Sequence, residues 1–464
     1  MAKNSIYVYR FHPVDGSLVL LNVCGAHVKN PAFSRFHPRL NVVYTCTEDI
    51  DDNGKVYAYC VGSNGELTQL GEPVDAGGTS TCYLTVTKDC RHMLCVNYWN
   101  STLAVIPLDA QTGAFAGPIK NMYDPAAGHK MVSTGRCHGG VNHSMNDEST
   151  IQMRQADPHS HALVLDPFEQ VIAYVPDLGK DLIREFIFDN VNGKIVSEMN
   201  VLPSGMCTGH PDGPRYFEFH PRYNIAYCVN ELSSTISVFE VDRVMLREVA
   251  TAAHNNQDMT QFRGRTSLRL IQSVNTIPCA FPTTMNTCGR ICVHKSGRFV
   301  LVSNRGHESI AIFRVVPATG ELVAIGYFHT RGETPRHFQF DASGQYLLVA
   351  NQDTDCVAVF NFNLGSGMIT YTGNEYRVPS PNFVCNCPAR TEDGPSGSAG
   401  DSVTVSNLQL LDRGSSASTS TPPSSTEVSV SDKQLLLELE KAREEISRLK
   451  ILLDNKTATA AQAE

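Results

Sequence analysis

The stretch GPRYFEFHPRYNIAYCVNELSSTISVFE, from Gly213 to Glu240, decides the fold of this chain. It contains short apolar-rich segments separated by turn residues, a pattern that predicts antiparallel strands joined by tight turns. Two charged residues, Arg215 and Glu231, stand at strand ends where burial alone does not require a charge. The stretch therefore predicts a packing unit that also carries chemically active side chains.

The same unit recurs along the chain. Position-for-position copies begin at Cys288 and Thr334, and looser copies begin at Pro31, Ser80 and Pro158. Four short strands per unit, repeated at a spacing of about 40 to 50 residues, are typical of a β-propeller in which each unit forms one blade. The longer gaps at residues 121–156 and 253–285 predict insertions between blades.

A seventh unit emerges when the two ends of the repeat region are joined. SPNFVCNCP from Ser380 is similar to a first strand, and SIYVYRFHPVDGSLVLLNV from Ser5 is similar to a third and a fourth strand. The second strand is missing, which leaves two alternatives. Either DSVTVSNLQLL from Asp401 supplies it from the tail, or the blade has a gap. In both cases the predicted fold is all-β, a seven-bladed β-propeller.

Composition divides the chain into four parts. We predict a propeller at residues 5–388, a Ser/Thr/Gly/Pro-rich flexible linker at 389–431, a coiled-coil helix at 432–456 and a disordered tail at 457–464. The helix rests on an a/d stripe of apolar residues, namely Leu435, Leu439, Ala442, Ile446, Leu449 and Leu453. This stripe predicts either a homo-oligomer formed through the helix or docking of the helix on the propeller.

Charge and hydropathy exclude several classes of protein. The 464 residues carry a net charge of -9, which argues against a nucleic-acid partner or a polybasic membrane surface. No window approaches the roughly 18 apolar residues of a membrane span, and the first residues lack the features of a signal peptide. The expected location is therefore cytoplasmic, without a membrane partner.

The cysteines point to a reducing compartment and not to a metal site. The fifteen cysteines sit singly in strand-like apolar runs, as reduced core thiols do. Cys385 and Cys387 are too close together for a zinc knuckle and have no partner pair. His138 and His143 lack metal-ligand spacing and are interpreted as loop residues. We expect no metal and no cofactor.

Positions whose chemistry differs between blades are the informative ones, because framework positions repeat for packing. The start of the first strand carries, in blade order, Ala32, Cys82, His161, Arg215, Gly289, Arg336 and Asn382. The end of the second strand carries Glu48, Tyr98, Asp177, Glu231, Arg305 and Gln352. The start of one strand and the end of its antiparallel neighbour share a sheet edge, so both sets are predicted to ring one mouth of the central channel.

These residue types favour a site for a small anion. Arginines in a concave, partly desolvated mouth select carboxylate or phosphate. His161 titrates near working pH, and Asp177 beside it could orient its ring. No GxSxG, HExxH or Walker glycine motif occurs, so metal-free acid–base chemistry or simple binding remains. The alternative for Arg215 and Glu231 is an ion pair that only fixes strand register.

The chain resembles the lactonase family of seven-bladed propellers in VSNRGHESIAIF, TPRHFQF, LLVANQDTDCVAVF and VPDLGKD. This family includes bacterial-type 6-phosphogluconolactonase and the fungal 3-carboxy-cis,cis-muconate lactonizing enzyme. The resemblance implies a metal-independent enzyme with an active-site histidine at His161, arginines at Arg215 and Arg305 and a glutamate at Glu231. The segment before PHSH is longer than the family pattern, which affects the expectation for substrate specificity.

The resemblance implies hydrolysis of an anionic sugar lactone, first of all 6-phosphogluconolactone to 6-phosphogluconate in the pentose phosphate pathway. Five further mouth residues are predicted to bind the substrate: Arg336, Asp177, Gln352, Glu48 and Tyr98. One alternative is a cycloisomerase that forms a lactone from a muconate. Another is a non-catalytic propeller scaffold for protein partners, since propellers also serve as binding platforms.

Overall fold

The computed structural model of this chain describes residues 5–25, 27–127, 148–206, 210–387 and 402–408. The predicted coiled-coil helix, the disordered tail and most of the predicted linker lie outside these ranges, as do His138 and His143. Within them the strands form seven antiparallel sheets, each matching one predicted blade. The predicted all-β propeller fold is confirmed.

The first two strands, β1 (Ile6–Phe11) and β2 (Leu18–Cys24), belong to the last blade. Blade 1 contains β3 (Pro31–Phe36), β4 (Val42–Thr47), β5 (Lys55–Val61), β6 (Leu67–Gln69) and β7 (Val74–Asp75). Blade 2 contains β8 (Thr81–Val86), β9 (His92–Asn97), β10 (Leu103–Pro107) and β11 (Asn121–Tyr123). Blade 3 contains β12 (Val164–Leu165), β13 (Ile172–Asp177), β14 (Leu182–Asp189) and β15 (Lys194–Pro203).

The remaining blades follow the same order from first to fourth strand. Blade 4 contains β16 (Pro214–Phe219), β17 (Ile225–Asn230), β18 (Thr235–Val241) and β19 (Leu268–Asn275). Blade 5 contains β20 (Thr287–Val293), β21 (Phe299–Arg305), β22 (Ser309–Val315) and β23 (Leu322–His329). Blade 6 contains β24 (Pro335–Phe340), β25 (Tyr346–Asn351), β26 (Cys356–Phe362) and β27 (Ile369–Arg377), and β28 (Pro381–Asn386) begins blade 7.

Packing between blades forms the core. The second strands β9, β17 and β25 are buried over their whole length, because both of their faces meet neighbouring blades. First strands of neighbouring blades contact one another from β16 through β20 and β24 to β28, and β3 contacts β8. The contact of β28 with β3 joins the last blade to the first. The thiol of Cys82 donates to the carbonyl of His161 across such a boundary. The blades thereby hold their first strands around one axis.

The tail completes the seventh blade. The strand β29 (Ser402–Leu408) lies between β28 and β1, and the sheet order is β2-β1-β29-β28. It pairs antiparallel with β1 from Ile6↔Asn407 to Phe11↔Ser402 and with β28 from Pro381↔Leu408 to Asn386↔Thr404. Of the two alternatives left by the sequence, the tail strand is the correct one. The predicted boundaries are therefore wrong at this point, because part of the 389–431 linker is a propeller strand.

Two helices interrupt the strand pattern. α1 (Glu148–Gln155) lies between blades 2 and 3, within the insertion predicted at residues 121–156. α2 (Arg243–His254) lies between the third and fourth strands of blade 4, so the insertion predicted between blades at 253–285 was misplaced. Buried Met245, Leu246 and Val249 join α2 to a core cluster formed by blades 3 and 4. None of the helices in the described ranges has the length and apolarity needed to cross a bilayer.

Candidate active site at the channel mouth

The structure brings the predicted ring together. One cavity at the mouth is lined by the first-strand residues of six blades together with Glu48 and two aromatic side chains from the next layer. These lining residues are Ala32, Cys82, His161, Arg215, Arg336, Asn382, Glu48, Tyr216 and Phe383. Its volume of ≈ 20 Å³ holds about one water molecule. This cavity by itself is therefore too small for a sugar lactone.

A bulge in the first strand aims five of the residues at the mouth, namely Ala32, Cys82, Arg215, Arg336 and Asn382. The strand register shifts between Pro31 and Phe33, between Pro214 and Tyr216, and at the matching places in β8, β24 and β28. The skipped residue is the ring residue itself in each case, for example Arg215 in β16. A bulge leaves one residue unpaired and redirects its side chain, which explains how a strand built for packing carries a functional group.

A second repeated feature fixes the end of the second strand. The backbone N–H of Glu231 donates to the carbonyl of Gly213 at 2.6 Å, and the equivalent bonds of Glu48, Tyr98 and Gln352 are 3.0, 2.9 and 2.9 Å long. Gly213 adopts a φ of +61°, and a Cβ at this position would lie 2.4 Å from Cγ of Leu232. This glycine therefore allows the tight turn that holds Glu231 at the mouth.

Glu231 is a fully buried carboxylate surrounded by three guanidinium groups. Its Oε2 lies 2.5 Å from Arg215, and its Oε1 lies 2.7 Å from Arg154 and 2.8 Å from Arg305. Burial alone would raise the pKa of Glu231, but Arg154, Arg215 and Arg305 outweigh it and hold the pKa well below its ordinary value. The group is thus ionised at neutral pH. The ion pair between Arg215 and Glu231 within blade 4 is present, and it belongs to a larger cluster that also contains Arg154 and Arg305.

His161 is held neutral beside this cluster. Its Nε2 lies 2.6 Å from the guanidinium of Arg215, and arginine can only donate, so Nε2 must accept and the proton sits on Nδ1. Burial and then the charge of Arg215 lower the pKa of His161 well below its ordinary value. The imidazole can therefore accept a proton only weakly until the surrounding charge changes.

Aromatic rings pack against His161 on two sides. The ring of Tyr98 lies edge-on at a centroid distance of 5.3 Å, and Tyr216 lies at 5.4 Å. Tyr98 also stacks on His159 at 4.7 Å and hydrogen-bonds Arg154. Tyr98 thus lies beside His161, and its ring fixes the imidazole laterally.

Asp177 does not orient His161. Its Oδ2 lies 2.9 Å from Nε of Arg184, and its Oδ1 accepts the backbone N–H of His159 at 2.8 Å. Arg184 also contacts Glu198 at 2.7 Å, so Asp177 belongs to an ion-pair network within blade 3. The sequence-based expectation of an Asp–His pair is wrong, because the side chain turns toward its own sheet.

The other predicted binding residues differ in their surroundings. Arg336 of blade 6 lies 3.7 Å from Oε2 of Glu48 in blade 1, so this pair spans the channel and not a single blade. Gln352 is buried, with its backbone N–H on the carbonyl of Thr334. Arg305 is buried, and its guanidinium also donates to the carbonyl of Cys288 at 2.6 Å. Burial and the neighbouring charges lower the pKa of Arg305 to about 10, at which it stays a cation at neutral pH.

Arg154 was missed by the sequence-based prediction. It lies near the end of α1, outside the repeat, so no alignment of blades could place it at the mouth. Two hydrogen bonds hold α1 on the turn after β13 in blade 3. Gln155 donates to the carbonyl of Leu178 at 2.5 Å, and Lys180 donates to the carbonyl of Ala156 at 2.9 Å. The only hint in the sequence was the unusual length of the segment before PHSH.

The described residues contain no group of three His, Cys, Asp or Glu side chains arranged to hold a metal ion. In particular, the turn histidines His220 and His294 accept or donate within their own turns and across to Gly297 and Gly344. Both are turn residues. The charged and titratable groups at the mouth are the carboxylates of Glu231 and Glu48, the neutral imidazole of His161 and several guanidinium groups.

Known proteins share the propeller fold of this chain. A family model described as Lactonase, 7-bladed beta-propeller, matches residues 1–386. The chain is 30% identical to the 6-phosphogluconolactonase of Bacillus subtilis over 364 residues, covering 78% of this chain and 87% of that protein. It is 25% identical to the 6-phosphogluconolactonase of Formosa agariphila over 368 residues, covering 78% and 90%. The solved structure of the periplasmic gluconolactonase PpgL from Pseudomonas aeruginosa has the same fold, with a TM-score of 0.64 and 23% identity, covering 82% of this chain and 98% of its own.

Proposed function

Because this chain belongs to the lactonase family of seven-bladed β-propellers, we propose that it hydrolyses 6-phosphogluconolactone to 6-phosphogluconate. The observation that carries this proposal is the cluster around Glu231. It places one carboxylate, one neutral imidazole and three guanidinium groups at a single mouth. Such a set suits an anionic substrate whose reaction needs a base and stabilisation of an oxyanion.

In the proposed reaction, a water molecule attacks the lactone carbonyl while Glu231 or His161 takes its proton. The carbonyl oxygen becomes an oxyanion that Arg215 and Arg305 stabilise, and each well-placed donor contributes about 3 kcal/mol to lowering the barrier. When the ring C–O bond breaks, the ring oxygen receives the proton and becomes the free hydroxyl. One lactone and one water thereby give one hydroxy acid, with no redox step.

Substrate binding would activate the base. In the free protein, burial and then the charge of Arg215 keep the pKa of His161 low. The charges of Arg154, Arg215 and Arg305 outweigh burial and keep the pKa of Glu231 low, so both groups are weak bases there. An anionic substrate that draws these guanidinium groups toward itself adds negative charge and removes positive charge near both residues. Their pKa values then rise toward the working pH, where general-base catalysis is most effective. Of the two, we favour Glu231 as the base, because three arginines contact it, and its pKa rises when they turn toward the substrate.

The direct test is hydrolysis of freshly prepared 6-phosphogluconolactone, compared with its spontaneous rate, in the presence of a chelator. We expect chelator-resistant turnover well above background. Glucono-lactone without phosphate and 3-carboxymuconate serve as parallel substrates. Turnover of carboxymuconate alone would identify a cycloisomerase instead, and no turnover of any of them would leave the scaffold alternative.

The pH profile follows from the pKa directions. Neutral His161 and ionised Glu231 both persist below pH 6.5, since their pKa values are lowered, so kcat/KM should stay level from pH 8 to 6.5 and fall only at lower pH. Removing the charge in Arg215→Gln raises both pKa values, and the acid limb of the residual activity should move up by about one pH unit. Arg215→Lys keeps the charge and is the matched control. An acid limb at the same pH in wild type, Arg215→Gln and Arg215→Lys would contradict the assignment of this limb to His161 and Glu231.

Two further features belong to the proposal. We propose a cytosolic setting, supported by the thirteen cysteines of the described ranges, all of them free thiols. We also propose that residues 432–456 form a coiled coil through which copies of the chain associate. This segment lies outside the described residues, and the a/d stripe of its sequence is the support for it.

A further inference from the structure

We propose that Arg154 of α1 binds the phosphate of the substrate and so determines its preference for a phosphorylated lactone. This inference rests on the proposed function, because it assigns one further residue of the same site. The first observation is the net charge of the cluster around Glu231. Three guanidinium groups face one carboxylate at the mouth, which leaves two positive charges without a counter-charge in that cluster. Arg336 does not alter the balance, because Glu48 faces it.

Buried positive charge without compensation favours an anion of matching charge. A phosphate monoester carries nearly two negative charges at neutral pH, whereas a carboxylate carries one. Guanidinium groups also bind phosphate with paired hydrogen bonds. The cluster therefore fits a phosphorylated substrate better than a simple carboxylate, a distinction that the sequence left open.

The depth of the three arginines assigns their roles. The side chains of Arg305 and Arg215 are 1% and 5% exposed and come from blade strands, where each has a second partner in Cys288 or His161. Arg154 is 11% exposed and comes from an inserted helix, with Glu231 and Tyr98 as its partners. The deeper pair suits the reacting carbonyl, and the outer arginine suits an anion at the far end of the sugar.

If Arg154 leaves Glu231 and binds the phosphate instead, recognition of the substrate is coupled to the basicity of Glu231. When phosphate takes Arg154, Oε1 of Glu231 loses a hydrogen bond and a neighbouring positive charge. Glu231 becomes a stronger base at the moment when substrate is in place. Arg154 is thus expected to affect kcat as well as KM for the phosphorylated lactone, a pattern that loss of simple binding would not give.

The test compares two substrates in wild type and three variants. We expect Arg154→Gln to lower kcat/KM for 6-phosphogluconolactone by about 10- to 100-fold, the range for a hydrogen bond to a charged group. The same variant should change kcat/KM for unphosphorylated glucono-lactone by less than about threefold. Arg154→Lys should recover part of the loss. Gln152→Ala, at an exposed position of the same helix, should behave as wild type.

A second measurement separates this inference from the proposed function. Calorimetry should show that wild type binds 6-phosphogluconate more tightly than gluconate, and that Arg154→Gln abolishes this difference. Equal loss for both lactones, or an unchanged preference for phosphate in the variant, would overturn the role of Arg154 while hydrolysis by wild type still supports the function. If wild type hydrolyses neither lactone, the function fails, and the calorimetric comparison still decides whether Arg154 binds phosphate.

Discussion

Replacing Glu231 by glutamine is expected to lower kcat/KM for 6-phosphogluconolactone by about 10³-fold, because a positioned general base contributes about 10² to 10⁴ to the rate. The shape of the side chain is retained while its charge is lost. Three guanidinium groups remain around the site, so anion binding should persist and KM should stay level or fall. The loss should therefore appear in kcat.

The same substitution has a second signature in stability. Removing the carboxylate leaves three buried cations without their counter-ion, and breaking a buried pair costs about 3 to 5 kcal/mol. The melting temperature of Glu231→Gln should therefore fall, and sulfate or phosphate should restore it more than in wild type. Measuring kcat, KM and Tm against sulfate concentration separates lost chemistry from lost folding.

A matched control lies one layer away in the channel. Glu218 forms a partly buried ion pair with Arg290 at 2.7 Å, without contact to His161. Glu218→Gln should lower stability without the thousandfold loss in kcat. If Glu231→Gln retains wild-type kcat at a concentration where it is folded, Glu231 is not the base, and His161 becomes the candidate.

The register of the repeat explains why much of the mouth was predictable. Strand lengths and turns are so regular that residues sixteen apart, such as Arg215 and Glu231, fall side by side at one edge. Alternation from Asp401 also offered a candidate for the missing central strand, as one of the two alternatives left by the sequence, since a missing central strand leaves two sets of backbone groups that need partners. Both predictions depend on local pattern, which the sequence carries.

The errors arise where contacts cross the repeat. Arg154 reaches Glu231 from an inserted helix, and no blade alignment contains that helix. Asp177 was correctly placed on a strand end, but its choice of Arg184 over His161 depends on side-chain direction in three dimensions. The bridge from Arg336 to Glu48 likewise joins blades 6 and 1 across the channel. Residue type and strand position were accessible from the sequence, whereas partners were not.

Removing the tail strand is expected to have the largest effect on stability. A chain that ends at residue 398 lacks β29, which pairs with β1 over six residue positions and with β28 over five. A ladder hydrogen bond contributes about 1 kcal/mol net, so the loss is several kcal/mol out of a typical total of about 5 to 15. The last blade would also have a gap between β28 and β1. We expect the melting temperature to fall by at least about 10 °C, or cooperative unfolding to disappear.

Two variants make this result specific to β29. A chain that ends at Leu411 keeps the strand and loses only residues 412–464, so it should melt as the full chain does. In the full chain, Val405→Pro removes a backbone donor at a position paired with both Val8 and Cys385, and proline is tolerated only at strand edges. The Val405→Pro protein should show most of the fall in melting temperature that the 398-residue chain shows. An unchanged melting temperature in the 398-residue chain would mean that the blade is stable with a gap, whereas recovery on adding a peptide of residues 399–411 would show that the tail closes the propeller by strand pairing.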